Sequence, residues 1–438
     1  MPERDDLAAV AVLQAEAARP GRRRRLGLLR HLGPGLISGA ADDDPSGIVT
    51  YSQAGAQLGY AACWVLLACY PLIVATQEIS ARIGRASRGG VIANLRRRYP
   101  GWLVGGLATL IVLTNTINLG ADLGAMADVM QLLLRGPRLA YVVLWGGLCA
   151  GSLLCMRLGL YIRLVKWAAL SLLAYVLAAF SVAPAWGIVL RHTVLPALPP
   201  DISSVMILAA VVGTTISPYL FIWQSSLEAE RAAHLPDLRA SEAAPMARAE
   251  IKRIRADTCA GMLVATVVAY AVVVTAGSTL HLAGIGELET TAEAAQALQP
   301  LAGPFTHTLF SVGILATGLL AIPMLAGSAA YAVGESRGWP IGLARAPRKA
   351  PGFYSVIAAS TFAGVALNFV GFNPVRVLVW SAVINGVLSV PMLVAMMLVA
   401  VRPEIMGGLA LTRPLRIVGW LAACVMGVVA LSTLVALT

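Results

Sequence analysis

Gly39-Ala-Ala-Asp-Asp-Asp-Pro-Ser-Gly47 and Gly213-Thr-Thr-Ile-Ser-Pro-Tyr219 each set a proline inside a long apolar run. Proline removes one helical hydrogen bond and clashes with the preceding turn, and glycine and serine neighbours ease the break. Backbone groups freed inside a bilayer are tolerated only where protein or a water-filled cavity satisfies them. The first stretch also carries three consecutive carboxylates. A charge near the bilayer centre costs at least about 2.5–3.5 kcal/mol. Repulsion forbids three adjacent carboxylates from all being ionised in dry surroundings. A bound cation, a polar cavity or protons must therefore accompany Asp42, Asp43 and Asp44.

The runs around these breaks set the class. Of 438 residues, 58% are hydrophobic and only 13% charged, against roughly 25% charged in a soluble domain. This excludes a soluble enzyme, a disordered chain and a secreted disulfide scaffold. Continuous apolar stretches also argue against a β-barrel, whose strands read as weak alternating segments. Eleven spans of bilayer length are expected at 34–57, 59–81, 102–130, 139–156, 159–183, 204–224, 256–280, 304–331, 353–371, 374–400 and 415–437. All six cysteines (Cys63, Cys69, Cys149, Cys155, Cys259 and Cys424) lie in or beside these runs and read as small buried hydrophobes.

The net charge of +11 is nearly all arginine. It reads as an orientation signal and not as a nucleic-acid footprint. Basic residues follow spans 2, 6, 8 and 10 and flank the short link between spans 4 and 5. The connection between spans 7 and 8 has no Lys or Arg from Gly277 to Gly303 but carries Glu287, Glu289 and Glu293. The N-terminus is thus expected in the cytoplasm and the C-terminus outside, in a multi-pass inner-membrane protein. Residues 1–33, with Arg22–Arg25, read as a cytoplasmic basic tail. The connection Leu227–Asp257 is long and of alternating charge, with room for a short surface helix.

The two broken spans are numbers 1 and 6, five apart. That spacing divides the all-α chain into two inverted five-helix repeats, 34–183 and 204–400, with 415–437 as an additional eleventh helix. Broken helices at matching positions in two halves point to a transport site at the midplane. A carboxylate beside unwound carbonyls offers hard oxygen ligands, suited to Mg²⁺, Ca²⁺ or Mn²⁺. In the second break Thr214, Thr215, Ser217 and Tyr219 add hydroxyls and carbonyls. No Cys, His or Met lies within it, which argues against a soft-metal site. Span 3 carries Asn115, Asn118 and Asp122 at helical spacing on one face. These residues serve a polar pathway or a structural hydrogen-bond stripe. Gln224 and Asn385 are further polar candidates inside spans 6 and 10. Glu78 and Arg82, four apart, read as an ion pair or as side chains snorkelling at the interface.

Gly33-Pro-Gly-Leu-Ile-Ser-Gly39, Asp44-Pro45 and Gln53-Ala-Gly-Ala-Gln-Leu-Gly-Tyr60 resemble the Nramp (natural resistance-associated macrophage protein) family of divalent metal transporters. Gly213-Thr-Thr-Ile-Ser-Pro-Tyr-Leu-Phe-Ile-Trp-Gln-Ser225 resembles that family's broken sixth helix. The resemblance implies a leucine-transporter-type fold. It also implies a metal site in which Asp44 is the principal ligand. The family's Asp-Pro-Gly-Asn is here Asp44-Pro45-Ser46-Gly47, so the Asn side chain is gone and at most a Gly47 carbonyl remains. The family's Met-Pro-His is here Ser217-Pro218-Tyr219, which removes the soft thioether and the His associated with proton movement. The carbonyl three residues before the Met maps onto Thr214. The family's third-helix Asp and Glu align with Asn118 and Ala121, and Asp122 is one position on. These losses resemble the Nramp-related magnesium transporters, a branch implied to take a larger, more hydrated ion without proton coupling.

The expectation is therefore a divalent-cation transporter for Mn²⁺ or Mg²⁺, weakly or not proton-coupled. Asp44, Gly47, Thr214 and Ser217 would hold the ion. Asp42 and Asp43 would line the approach and raise the local cation concentration. Tyr219, Asn118, Asp122, Gln224 and Asn385 would lie along the pathway. Its partners would be the metal ion and the lipid bilayer, with no cofactor and no nucleic acid; the oligomeric state is left open. Two other readings stay open. One is an amino-acid or amine transporter on the same scaffold. The other is a non-transporting membrane receptor using Leu227–Asp257. No nucleophile–base pair or cofactor motif suggests an enzyme.

Overall fold

The computed structural model describes residues 34–155, 172–196, 201–233, 235, 244–288, 290–296, 306–371 and 374–436, and it contains no strand among them. The basic tail 1–33 and most of the fifth expected span, 159–171, lie outside the described residues, as does the side chain of Cys155. The first expected span is two helices, α1 (Pro34–Asp42) and α2 (Pro45–Leu58). A short 3-10 turn, Gly59–Ala62, leads into α3 (Cys63–Ser87) and then α4 (Val91–Arg96). Next come α5 (Gly101–Leu134), α6 (Arg138–Cys155), α7 (Leu173–Ser181) and α8 (Trp186–Val194). The sixth span is again split, into α9 (Ile202–Thr215) and α10 (Pro218–Ala232). The rest is α11 (Ala244–Ala276), α12 (Thr291–Gln296), α13 (Thr306–Arg337), α14 (Pro351–Leu367), α15 (Pro374–Ala400), α16 (Pro403–Met406) and α17 (Arg413–Ala436).

Among the described residues, eight helical stretches are long and apolar enough to cross a bilayer. The pair α7–α8, bent by 120°, adds a ninth candidate. The count differs from eleven for local reasons. Spans 1 and 2 run on through the turn at 59–62, α6 has a shorter apolar stretch, and span 5 is only partly described. Two connections also differ from expectation. The region between spans 5 and 6 holds the helix α8. The expected loop Leu227–Asp257 is mostly helix, because α10 runs to Ala232 and α11 begins at Ala244.

The half-helix α1 is seated by glycine. Gly35 and Gly39, one turn apart, face Gly261 of α11. A β-carbon on Gly39 would lie 2.7 Å from the Gly261 Cα and closer still to its carbonyl oxygen. Small residues at such spacing let two backbones touch where apolar lipid gives helices no hydrophobic reason to associate. Asp257 of α11 fixes the end of α1: its carboxylate accepts from Gly35 N at 2.8 Å and Leu36 N at 3.3 Å. These are N–H groups that a helix start otherwise leaves unpaired. The start of α9 is capped by Asp201, which accepts from Ser204 N at 2.9 Å and from the Ser203 and Ser204 hydroxyls. Those donors hold the Asp201 carboxyl down at about 2, so the cap stays charged at any physiological pH.

Glu78 and Arg82 form the expected pair, but they do not snorkel. Arg82 is fully buried and Glu78 nearly so, because α3 packs beneath α10 and α11. Arg255 of α11 shares the same carboxylate at 3.4 Å. Of the cysteines, Cys63, Cys69 and Cys149 are buried as expected. Cys259 is half-buried and Cys424 is exposed on the outer face of α17, where an apolar side chain meets lipid.

Candidate metal centre

Both breaks follow from their prolines. Asp44 is extended (φ −68°, ψ 169°) and caps α2, which starts with Pro45, a residue suited to a first turn because it has no N–H to satisfy. The Asp44 Oδ1 atom accepts from Gly47 N at 2.6 Å and from the Ser46 hydroxyl at 2.9 Å. At the second break Ser217 is extended (φ −84°, ψ 138°) before Pro218, and it gives α10 no side-chain cap. Its hydroxyl instead turns back onto α9, within donating distance of the Thr214 carbonyl at 2.8 Å and the Gly213 carbonyl at 3.0 Å. The Ser217 proton is spent there, and the oxygen keeps only its acceptor character.

The two Asp44 oxygens are unequal. Oδ1 is occupied by two donors of its own chain segment. Oδ2 accepts from the Asn118 amide of α5 at 2.9 Å. Its other neighbour is the Tyr219 hydroxyl of α10, at 3.5 Å. That hydroxyl is nearer the Ala41 carbonyl, at 3.1 Å, and donates to it. One lone-pair direction of Oδ2 is therefore open, on the side facing Tyr219. The missing side chain at Gly47 leaves a second opening. A β-carbon there would sit 3.1 Å from Asp44 Oδ1 and 3.4 Å from both the Asp42 carbonyl and the Thr214 hydroxyl. Three oxygens thus surround a space that only glycine leaves free. Thr215 ties α9 to α2 through Tyr51, hydroxyl to hydroxyl at 3.1 Å.

The other expected residues divide. Asp122 reaches the centre: its Oδ1 accepts from Ser46 N at 3.0 Å, and its Oδ2 has no partner among the described residues. Asp42 and Asp43, expected along an approach, are enclosed here, and neither Asp43 oxygen has a hydrogen-bond partner among the described residues. Asn115 bonds sideways to α13, to the Leu325 carbonyl and the Ser328 hydroxyl. Gln224 lies further down α10 and bonds Thr258 of α11 at 3.1 Å. Asn385 is buried on α15 with its carbonyl oxygen unpartnered. Among the described residues no three His, Cys, Asp or Glu side chains converge to hold a metal. An ion beside Asp44 would meet its carboxylate and several neutral oxygens, with the Asp122 carboxylate close by, a hard donor set.

The chain matches the model of the "Natural resistance-associated macrophage protein-like" family over residues 35–436. It belongs to the Nramp family. The divalent metal cation transporter MntH of Acidiphilium cryptum is 30% identical over 424 residues, covering 93% of this chain and 90% of that protein. The MntH of Deinococcus radiodurans is 28% identical over 433 residues, covering 96% and 92%. Among solved structures, the manganese transporter of Eremococcus coleocola superposes with a TM-score of 0.76 at 16% identity, covering 96% of this chain and 90% of that one. The fold is accordingly the leucine-transporter type, with helices 1 and 6 broken.

Within this Nramp chain, sequence reasoning passed over three contributors. The Ala41 and Asp42 carbonyls are exposed by the break and carry no side-chain signal. Ser381 of α15 donates to Asn118 at 2.9 Å. It lies one turn before Asn385, and that shared face was the available clue. Asn118 itself now has a definite place, as the fixed donor on Asp44. Partners of a ligating carboxylate typically carry 10–100-fold in metal affinity. Asn118→Leu is therefore expected to raise the apparent KM for Mn²⁺ by about 10-fold or more. Uptake by proteoliposomes over a range of Mn²⁺ concentrations checks this.

Proposed function

We propose that this protein carries a divalent cation across the cell membrane, with Mn²⁺ and Mg²⁺ as the ions its site prefers. The observation that carries this reading is the Asp44 carboxylate. It is buried at a helix break with one lone pair open, among neutral oxygens of Ala41, Asp42, Thr214 and Tyr219. Ser217 adds an acceptor oxygen, and the room at Gly47 suits an ion that keeps some of its water, as Mg²⁺ does. The curated relatives named as divalent metal cation transporters support the cargo class. One group of helices would rock around this fixed site, with 34–183 and 204–400 as the two inverted repeats. Asp42 and Asp43 would then meet the entering ion once one side opens, with Gln224 and Asn385 further along the path. The basic connections place the N-terminus in the cytoplasm and the C-terminus outside. Tyr219 stands where the family has its His and Asn118 where it has a third-helix Asp, which favours transport weakly coupled or uncoupled to protons.

Proteoliposome uptake of Mn²⁺ and Mg²⁺ beside an internal pH probe tests all three points. Flux of both ions without acidification is expected. Mn²⁺ flux with acidification and no Mg²⁺ flux would assign a proton path to Asp122 and overturn the uncoupled reading. Flux of neither ion would leave the amino-acid or amine reading in its place.

A further inference from the structure

Ser381 sits on α15, on the far side of Asn118 from Asp44. Both residues are buried, so each polar atom must find a partner inside the protein. A carboxylate can only accept, so the Asn118 amide must turn its NH₂ toward Asp44 and its carbonyl oxygen away. That oxygen meets the Ser381 hydroxyl at 2.9 Å. The same hydroxyl lies 2.7 Å from the Leu378 carbonyl of its own helix and has one proton for two acceptors. Leu378 lies inside α15, where its carbonyl already accepts from the helix ladder, so the proton goes to Asn118. The three side chains form one line, from α15 through α5 to the break between α1 and α2.

We propose that Ser381 is a positioning residue for the ion site: its hydroxyl locks the Asn118 amide with the NH₂ toward Asp44, and so keeps the open lone pair of Asp44 Oδ2 on the Tyr219 side. This rests on the reading of Asp44 as the ion ligand. Oδ1 is already held by Ser46 and Gly47, so Oδ2 is the oxygen free to bind. Its direction is set by the Asn118 donor at 2.9 Å, the Tyr219 hydroxyl lying farther away at 3.5 Å. Without Ser381 the Asn118 carbonyl loses its donor, the amide is held from the Asp44 side alone with more freedom to tilt, and the carboxylate is aimed less sharply. Ser381 would act on affinity only through Asn118.

A double-mutant cycle on Mn²⁺ uptake in proteoliposomes tests this. Ser381→Ala is expected to raise the apparent KM about 3–10-fold, with the maximal rate within about 2-fold of wild type. Ser381→Thr keeps the hydroxyl and should restore the wild-type KM. In an Asn118→Ala background, Ser381→Ala should change KM by less than about 1.5-fold, since the intermediary is gone. Additive effects in the two backgrounds would overturn the proposal, as would an unchanged KM in Ser381→Ala. If Ser381→Ala does not yield folded protein, the Thr variant decides: a raised KM despite the retained hydroxyl would point to packing. A wild-type protein that neither binds nor moves Mn²⁺ or Mg²⁺ would defeat the underlying metal reading and this proposal with it. An active wild type with a silent Ser381→Ala would defeat this proposal alone.

Discussion

Asp44→Ala is expected to abolish Mn²⁺ and Mg²⁺ uptake, a loss of about 100-fold or more, because groups one layer behind a metal ligand already carry 10–100-fold. The alanine variant alone does not isolate the ligand role. Asp44 also caps α2 through Gly47 N, and losing an N-cap costs about 1 kcal/mol of stability. Asp44→Asn separates the two. An asparagine caps as well as an aspartate, so the protein should express and melt like wild type. It lacks the charge that makes a hard-cation site, so uptake should still be lost. Thermal melting beside uptake reads both. An Asp44→Asn protein that transports within about 3-fold of wild type would remove the carboxylate from the centre of the mechanism.

Gly39→Ala is expected to be strongly damaging for a single added methyl group. The added carbon would press on the Gly261 backbone, which has no rotamer by which to retreat. Overpacking of this kind costs about 1–3 kcal/mol, equivalent to a fall in melting temperature of about 1–3 °C for a chain of this size. The helix displaced is α1, which carries the Ala41 and Asp42 carbonyls, so residual folded protein should also transport poorly. Gly106→Ala is the matched control. Nothing lies within 4 Å of its β-carbon position on α5, and alanine is the better helix former by about 1 kcal/mol. That variant should be neutral or slightly more stable. Size-exclusion profiles and melting curves of the two variants check the contrast.

The membrane class was legible in the long apolar runs. The breaks were legible because Pro45 and Pro218 stand among glycine, serine and, at Pro45, acidic neighbours that ease a break, whereas Pro71, Pro323 and Pro391 sit inside continuous helices. Asp44 stood out because a carboxylate does not sit unaccompanied in a bilayer. Asn118 was legible only as a member of a stripe. Periodicity places it on a face with Asn115 and Asp122, yet these three point to different partners: Asp44, α13 and the Ser46 amide. Which neighbour each one meets depends on helix crossings between distant segments. The contributions of Ala41 and Asp42 were hidden for another reason. A backbone carbonyl becomes a ligand through local geometry, and every residue has one. Glu78 and Arg82 were read as a pair at the membrane surface, since nothing in their spacing reveals that Arg255 lies across from them.

The aspartate that would greet the ion is also the cap of the helix leading away from it. The electron pairs on Oδ1 that tie down the first turn of α2 belong to the same carboxylate whose Oδ2 faces the open position. Cargo and lever therefore share one joint. Drawing the carboxylate toward a cation weakens its hold on Gly47 N, and a tilt of α2 re-aims the carboxylate. By thermodynamic reciprocity the two effects are equal in size. In such an arrangement affinity and helix movement are set by one side chain, and selection on either one reshapes the other.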